Sequence, residues 1–569
     1  MKFIFTFFIL LIINTKAQYL PKNISEEEIK IAEKWVDETY NSLSQDEKLG
    51  QLFIVALYTN KGEDFIDNVR NIAEKESIGG LILMQDDAAR EIDLVNEFQK
   101  KSKVPLMIGM DAEWGVFQRI ATAHKFPWAI TLGAIRDKNL IYEMAQKIAE
   151  DCKRMGINWD FAPVVDVNTN PKNPIIGNRS FGSDVENVIR SASAYSGGLQ
   201  DSGILASIKH FPGHGDTNTD SHLDLPVVSH DLKRLDSVEL APFKTLMNKG
   251  IGGVMIAHLY VPALENGEKI PASVSKNIIT DLLKNKLNFK GLIITDALNM
   301  GAVSKKYNAG ELDALAFKAG NDIMLFSQDV ASGKKLIQKA IDTGEIPQSR
   351  VEESVKKILL TKYFLGLSRY VPRNPENINE DLNNDSHKKL VQKLYSNALT
   401  LLKDEKKLLP LNRDETFYYV PLEEAPYDVF LNRLNSETAV VIKKSEEIST
   451  IPVNSKVIVG FHKDNSTAYQ PYKISEKSKK ILENLNKNQN VILAVFGSPY
   501  ALKDVDISKT STVLIAYENN EDSMISTADA FLGKTKICGK LPVLVNENLK
   551  YGMGICEESG ESKKNPKKN

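Results

Sequence analysis

Cysteine is nearly missing from this chain of 569 residues: only Cys152, Cys538 and Cys556 occur. Three scattered thiols make neither a disulfide framework nor the paired spacing of a zinc site. A single Cys538–Cys556 bridge and free buried thiols both remain open. Charge excess is missing too. Lys and Arg number 72 against 74 Asp and Glu, a formal net charge of −2, which gives no electrostatic case for a nucleic-acid partner. No Gly-x-Gly-x-x-Gly or Walker-type loop follows any apolar run, which argues against nucleotide binding, and no motif requires a cofactor.

Long apolar runs are lacking except at the start, where Met1-Lys2 precedes Phe3 to Ile13 and small residues follow at Thr15 and Ala17. The pattern predicts an export leader, residues 1–17, cut after Ala17. Its apolar run is short for a bilayer span, and no Cys follows the cut to carry a lipid. The expectation is therefore a periplasmic or extracellular protein with no membrane insertion after cleavage. Loss of Lys2 and Lys16 takes the net charge from −2 to −4.

What is present is a regular alternation. Leu52–Leu57, Leu81–Met84, Pro105–Met110, Ile130–Ile135, Asn158–Val167, Ile204–Ile208, Gly253–Ala257, Leu292–Thr295 and Ile323–Phe326 read as buried strands. Helical stretches such as 139–155, 185–201, 232–249 and 276–287 separate them. Continuous apolar strands alternating with helices imply parallel pairing buried on both faces. The fold class is α/β, and a (β/α)8 TIM-type barrel fits the repeat best, ahead of an open doubly wound sheet. Residues 18–367 form this region, and 368–387, rich in Pro, Asn and charge, read as a linker. Residues 388–556 alternate short β runs with helices, as in a smaller α/β sandwich, and 557–569 form a basic tail.

The densest chemistry lies in Lys209-His210-Phe211-Pro212-Gly213-His214-Gly215-Asp216-Thr217, followed by Asp220-Ser221-His222. Parallel α/β folds place their chemistry at the C-terminal ends of strands, and Lys209 and His210 end one. Asp111, Glu113 and Arg119 follow the 105–110 strand, Arg179 follows the 158–167 strand, and Asp296 ends the 292–295 strand. A carboxylate beside cations stays ionised and can act as a nucleophile, and Asp220 with His222 can form a carboxylate–imidazole pair. Metal ligation by His210, His214, Asp216, Asp220 and His222 is the competing reading, although the spacing matches no helix-borne His-Glu-x-x-His arrangement.

The 209–222 stretch resembles the signature of glycoside hydrolase family 3, in its bacterial β-N-acetylglucosaminidase branch. That resemblance implies a barrel followed by a sandwich domain, and retaining hydrolysis of a β-N-acetylglucosaminide oligosaccharide or muropeptide without a metal. It assigns Asp296 as nucleophile, His222 as general acid/base with Asp220 as its partner, and Asp111, Arg119, Arg179, Lys209 and His210 as ligands of the −1 sugar. A β-glucosidase, a phosphorylase using the same dyad and a catalytically silent sugar-binding protein are the alternatives. Two positions depart from the family pattern. Ala297 stands where many relatives have an acid after the nucleophile, and Glu113-Trp114-Gly115 stands where Gly-Gly often follows the Glu. The glycines between Lys209 and Asp220 read as a hinge that brings the proton-moving pair to the sugar.

Overall fold

The computed structural model describes residues 24–556 apart from 86, 465 and 470, so the leader at 1–17 and the tail at 557–569 lie outside the described residues. Two compact units emerge. The first runs to Lys125 and includes Tyr142–Asp166 and Ala192–Asn384; the second comprises Phe126–Ile141, Val167–Ser191 and the chain from Asp385.

Eight strands build the first unit: β1 (Phe53–Leu57), β2 (Gly80–Leu83), β3 (Met107–Met110), β4 (Trp159–Asp160), β5 (Leu205–Phe211), β6 (Gly253–Ile256), β7 (Leu292–Thr295) and β8 (Met324–Leu325). Their order is β7-β6-β5-β4-β3-β2-β1-β8, with every pairing parallel. A parallel bridge between Ile294 and Ile323 closes the ring, so the barrel has no free edge. Helices are set by local signals readable in sequence. Ser25 caps Glu26–Ser42 through the Glu28 N–H, and Ser44 with Glu47 forms a reciprocal capping box.

Two segments differ from their expected form. Ile130–Ile135 is not a strand; Ala129–Gly133 is a helix, fully buried in the second unit, where Thr131 Oγ1 and the Trp128 N–H both donate to Glu518 Oε1 at 2.8 Å. A short apolar run buried on all sides carries no period that separates strand from helix, and a side-chain acceptor decided this one. Within 158–167 only Trp159–Asp160 pairs as strand. Pro163 has no N–H to offer, and the chain continues beside β5 through irregular bonds such as Val165 N–H to Lys209 O at 2.8 Å.

Residues 368–384 belong to the first unit and bond to its other segments. Asn96 Nδ2 donates to Arg373 O at 2.7 Å, Arg154 Nη2 to Glu376 O at 2.6 Å, and Asn383 Nδ2 to Thr122 O at 2.7 Å.

The second unit holds a six-stranded sheet of β9 (Thr400–Asp404), β10 (Thr416–Leu422), β11 (Ala439–Ile442), β12 (Lys456–His462), β13 (Asn490–Phe496) and β14 (Thr512–Ile515). The order is β11-β10-β12-β13-β14-β9, parallel except for the β14–β9 pair. Phe417, Tyr419, Ile458, Ile492, Phe496, Leu514 and Phe531 fill its core. Cys538 and Cys556 are joined, 18 residues apart, and Ile555 N–H bonds Leu401 O on β9 at 2.6 Å. Cys152 is the free, buried thiol. Closing a loop of this length contributes about 3 kcal/mol. Replacing Cys538 and Cys556 by Ser is expected to lower the melting temperature by several degrees in a calorimetric scan, and dithiothreitol should do the same to the wild type but not to the variant.

Candidate active site

The C-terminal ends of β3, β5 and β7 carry the charged residues expected there. Lys209, on β5, is 2% exposed, and its ammonium bonds Asp111 Oδ1 at 2.7 Å and Glu113 Oε1 at 2.8 Å. Arg119 Nη2 bonds the other Asp111 oxygen at 2.6 Å, while the buried Arg119 Nε has no hydrogen-bond partner among the described residues. Burial would raise the Asp111 carboxyl, but Lys209 and Arg119 outweigh it and hold the group well below the usual carboxylate range.

His210 and His214 are organised by a residue the sequence reading passed over. Asp166 is buried and takes His210 Nδ1 at 2.7 Å and the His214 N–H at 2.6 Å. Burial acts to raise its carboxyl, yet these histidines hold it below the ordinary value. His214 also contacts Thr217 Oγ1 at 2.7 Å and Ser221 Oγ at 3.3 Å, and burial pushes its imidazole down to about 4. Gly213 has φ +128°, and a Cβ there would come within 2.8 Å of Glu239 Cβ. Both the positive φ and the close approach of Glu239 require glycine here.

Asp220 and His222 sit on the loop beyond. His222 Nδ1 meets Asp220 Oδ1 at 2.8 Å, and the His222 ring is 59% exposed, with Nε2 left for another partner. Asp216 pairs instead with His230. The five side chains named as alternative metal ligands are thus divided among different partners, and no group of three or more His, Cys, Asp or Glu among the described residues is arranged for a metal.

Asp296 follows β7 and accepts the Ala297 N–H at 2.8 Å. Burial would raise its carboxyl; His210, His258, that N–H and Lys209 together hold it below the ordinary value. His258, just past β6, is buried, with Nδ1 on Ser273 Oγ at 2.8 Å and Nε2 on Ala297 O at 3.0 Å. Its position directly after an apolar run was the available signal.

The first unit therefore brings together Asp111, Arg119, Lys209 and Glu113 in one ion cluster, and His210 close enough to Asp296 to act on its charge. Arg179 belongs to the second unit, in the turn Gly177–Arg179, buried, with Nη1 on Ile175 O at 3.2 Å.

Asp160 ends β4 behind this cluster. It accepts the Ala112 N–H at 3.0 Å, and Tyr195 Oη lies 3.5 Å from its other oxygen. Burial pushes its carboxyl up to about 7, with Asp111 and Glu113 adding to the shift against Ala112 N–H and Lys209. An Asp raised from about 3.9 favours folding most below that pH and progressively less as pH climbs through the folded value. Asp160→Asn is therefore expected to melt higher than wild type at pH 8 and alike below pH 4. Equal melting curves at both pH values would show that Asp160 ionises without cost.

A closed parallel barrel with paired acids and cations at the C-terminal strand ends has the architecture of a TIM-barrel enzyme. Residues 44–361 match the glycosyl hydrolase family 3 N-terminal domain. The chain is 29% identical over 388 residues to a β-N-acetylglucosaminidase/β-glucosidase of Cellulomonas fimi, spanning 67% of this chain and 68% of that protein. A family 3 β-N-acetylglucosaminidase from Paenibacillus sp. superposes with a TM-score of 0.74 at 29% identity, over 89% of this chain and 99% of that one. The β-glucoside phosphorylase BglX superposes at 0.79 with 25% identity, over 93% and 99%. The chain belongs to glycosyl hydrolase family 3. It is a glycoside hydrolase acting on β-linked sugars.

Proposed function

We propose that this enzyme is an exported, retaining exo-β-N-acetylglucosaminidase that removes terminal β-linked N-acetylglucosamine from cell-wall fragments or chitin-type oligosaccharides. The observation that carries the reading is the exposed His222–Asp220 pair, on a loop that follows the buried sugar-site residues Lys209 and His210. Most retaining glycosidases use two carboxyls; here an imidazole takes the place of one. Nδ1 is held by Asp220, so Nε2 is the atom that exchanges protons.

In the first step an Asp296 oxygen bonds to the anomeric carbon while the bond from that carbon to the leaving oxygen breaks. His222 Nε2 gives its proton to that oxygen. In the second step water attacks the same carbon, neutral His222 takes a proton from it, and the Asp296 carboxylate departs. Asp111, Arg119, Lys209 and His210 are assigned to the sugar hydroxyls, and Arg179 to the same sugar by family resemblance. Export is supported by the leader pattern and by the Cys538–Cys556 pairing.

The fold likeness to a β-glucoside phosphorylase favours one second reading, in which phosphate replaces water in the second step. Turnover of p-nitrophenyl β-N-acetylglucosaminide and of the β-glucoside, each with and without phosphate, separates the readings. Faster release from the N-acetylglucosaminide, independent of phosphate, is expected. A phosphate-dependent rate with sugar 1-phosphate as product would replace the hydrolase by the phosphorylase.

A further inference from the structure

The chain just past Asp296 reaches back to the loop that carries His222. Ser221 O accepts the Ala302 N–H at 3.2 Å, and Leu223 O accepts Lys305 Nζ at 2.8 Å. Between these two bonds the His222 carbonyl lies against Gly301. A Cβ on Gly301 would stand 2.5 Å from His222 O and 3.3 Å from Leu223 O. A Cβ does not approach a carbonyl oxygen to the first distance, so the loop takes this place only because residue 301 has no side chain. Gly301 opens the short helix Gly301–Ser304, a position where an alanine is at ease, so the methyl group would press only on the loop and, at 3.3 Å, on the flexible Cε of Lys305 that reaches to the same loop. Toward the sugar-site strand, His214 Nε2 lies 3.3 Å from Ser221 Oγ, and His214 is fixed through Asp166.

We infer that Gly301 and Lys305 are positioning residues for proton transfer: they seat the His222 loop on the turn that leaves the nucleophile strand. Asp296 and the acid/base thereby share one register, because the short stretch of chain after Asp296 leads to Lys305, whose Nζ donates to Leu223 O. The inference rests on the reading of His222 as the acid. It adds the device that holds the acid in reach of the leaving oxygen.

The test is a series of aryl β-N-acetylglucosaminides of increasing leaving-group pKa, measured with the full-length chain. A misplaced acid matters most where the leaving oxygen most needs a proton. Gly301→Ala and Lys305→Ala are expected to lose about tenfold or more in kcat/KM on poor leaving groups and less than about threefold on 2,4-dinitrophenyl, within the range general acids contribute. Melting temperatures should stay near wild type, and Lys305→Arg should recover most of the loss. Added to His222→Ala, either substitution should cost nothing further, since both act through the same proton.

If His222→Ala steepens the leaving-group dependence while Gly301→Ala and Lys305→Ala lose equally across the series, the seat is wrong and the acid assignment stands. If His222→Ala itself loses equally across the series, the acid assignment fails and the seat fails with it. An additive loss in the double variants also overturns the inference.

Discussion

Asp296→Ala is expected to reduce turnover by about 10⁴-fold or more, the scale seen when a nucleophile is removed from an assembled site. The reason is geometric and electrostatic together. Asp296 stands at the mouth-side end of β7, tied to the Ala297 N–H, with its carboxyl kept ionised by His210, His258 and Lys209 despite burial. No neighbouring carboxylate can take its place, because Asp111 is committed to Lys209 and Arg119. The variant should also respond to azide. A small anion entering the space vacated by the carboxylate attacks the same face of the sugar, so the product is the α-glycosyl azide. Formation of the β-azide, or full activity without any anion, would remove Asp296 from the nucleophile's role.

Lys209→Met should have the second largest effect, by a different route. The ammonium is almost wholly buried between Asp111 and Glu113. Deleting it leaves two carboxylates facing each other, with Arg119 as the nearest cation. Breaking a buried pair in this way costs about 3–5 kcal/mol, so a lower melting temperature is expected together with a fall in kcat/KM of roughly 10³-fold.

The pH dependence supplies the sign. In the wild type Asp111 has a depressed folded pKa, so its ion pairs stabilise the fold above the unfolded carboxyl value and lose that contribution only as pH falls through the lower folded one. Without Lys209, Asp111 takes up a proton at higher pH, and the acid limb of kcat/KM should move upward. Methionine at 209 with unchanged KM and an unmoved acid limb would mean that Lys209 serves the barrel rather than the sugar.

How far the sequence reached depended on the kind of signal. The barrel was legible because nine apolar runs, eight of which hold its strands, are each too continuous for a one-sided sheet and alternate with amphipathic helices, and only parallel burial satisfies that pattern. The Ser44–Glu47 capping box was legible because both partners lie within one turn. Ile130–Ile135 was not, since the acceptor that shapes Ala129–Gly133 is Glu518, far along the chain.

The site divides in the same way. Lys209, His210 and Asp296 are marked by their place at strand ends and Asp220 with His222 by their spacing on the loop beyond, so the candidates for the chemistry were legible in the sequence, and the family resemblance supplied their proposed roles. Asp160, Asp166 and His258 lie inside or directly beside apolar runs, where a polar residue reads as an interruption until its partner is known. Only the tertiary structure decided that Asp166 braces His210 and His214, that Arg179 belongs with the second unit, and that His222 rests on Gly301. Such choices depend on distances between residues remote in the chain. Hydrogen bonds and close contacts of that kind leave no period or spacing in a sequence; they exist only once the strands that carry them are side by side.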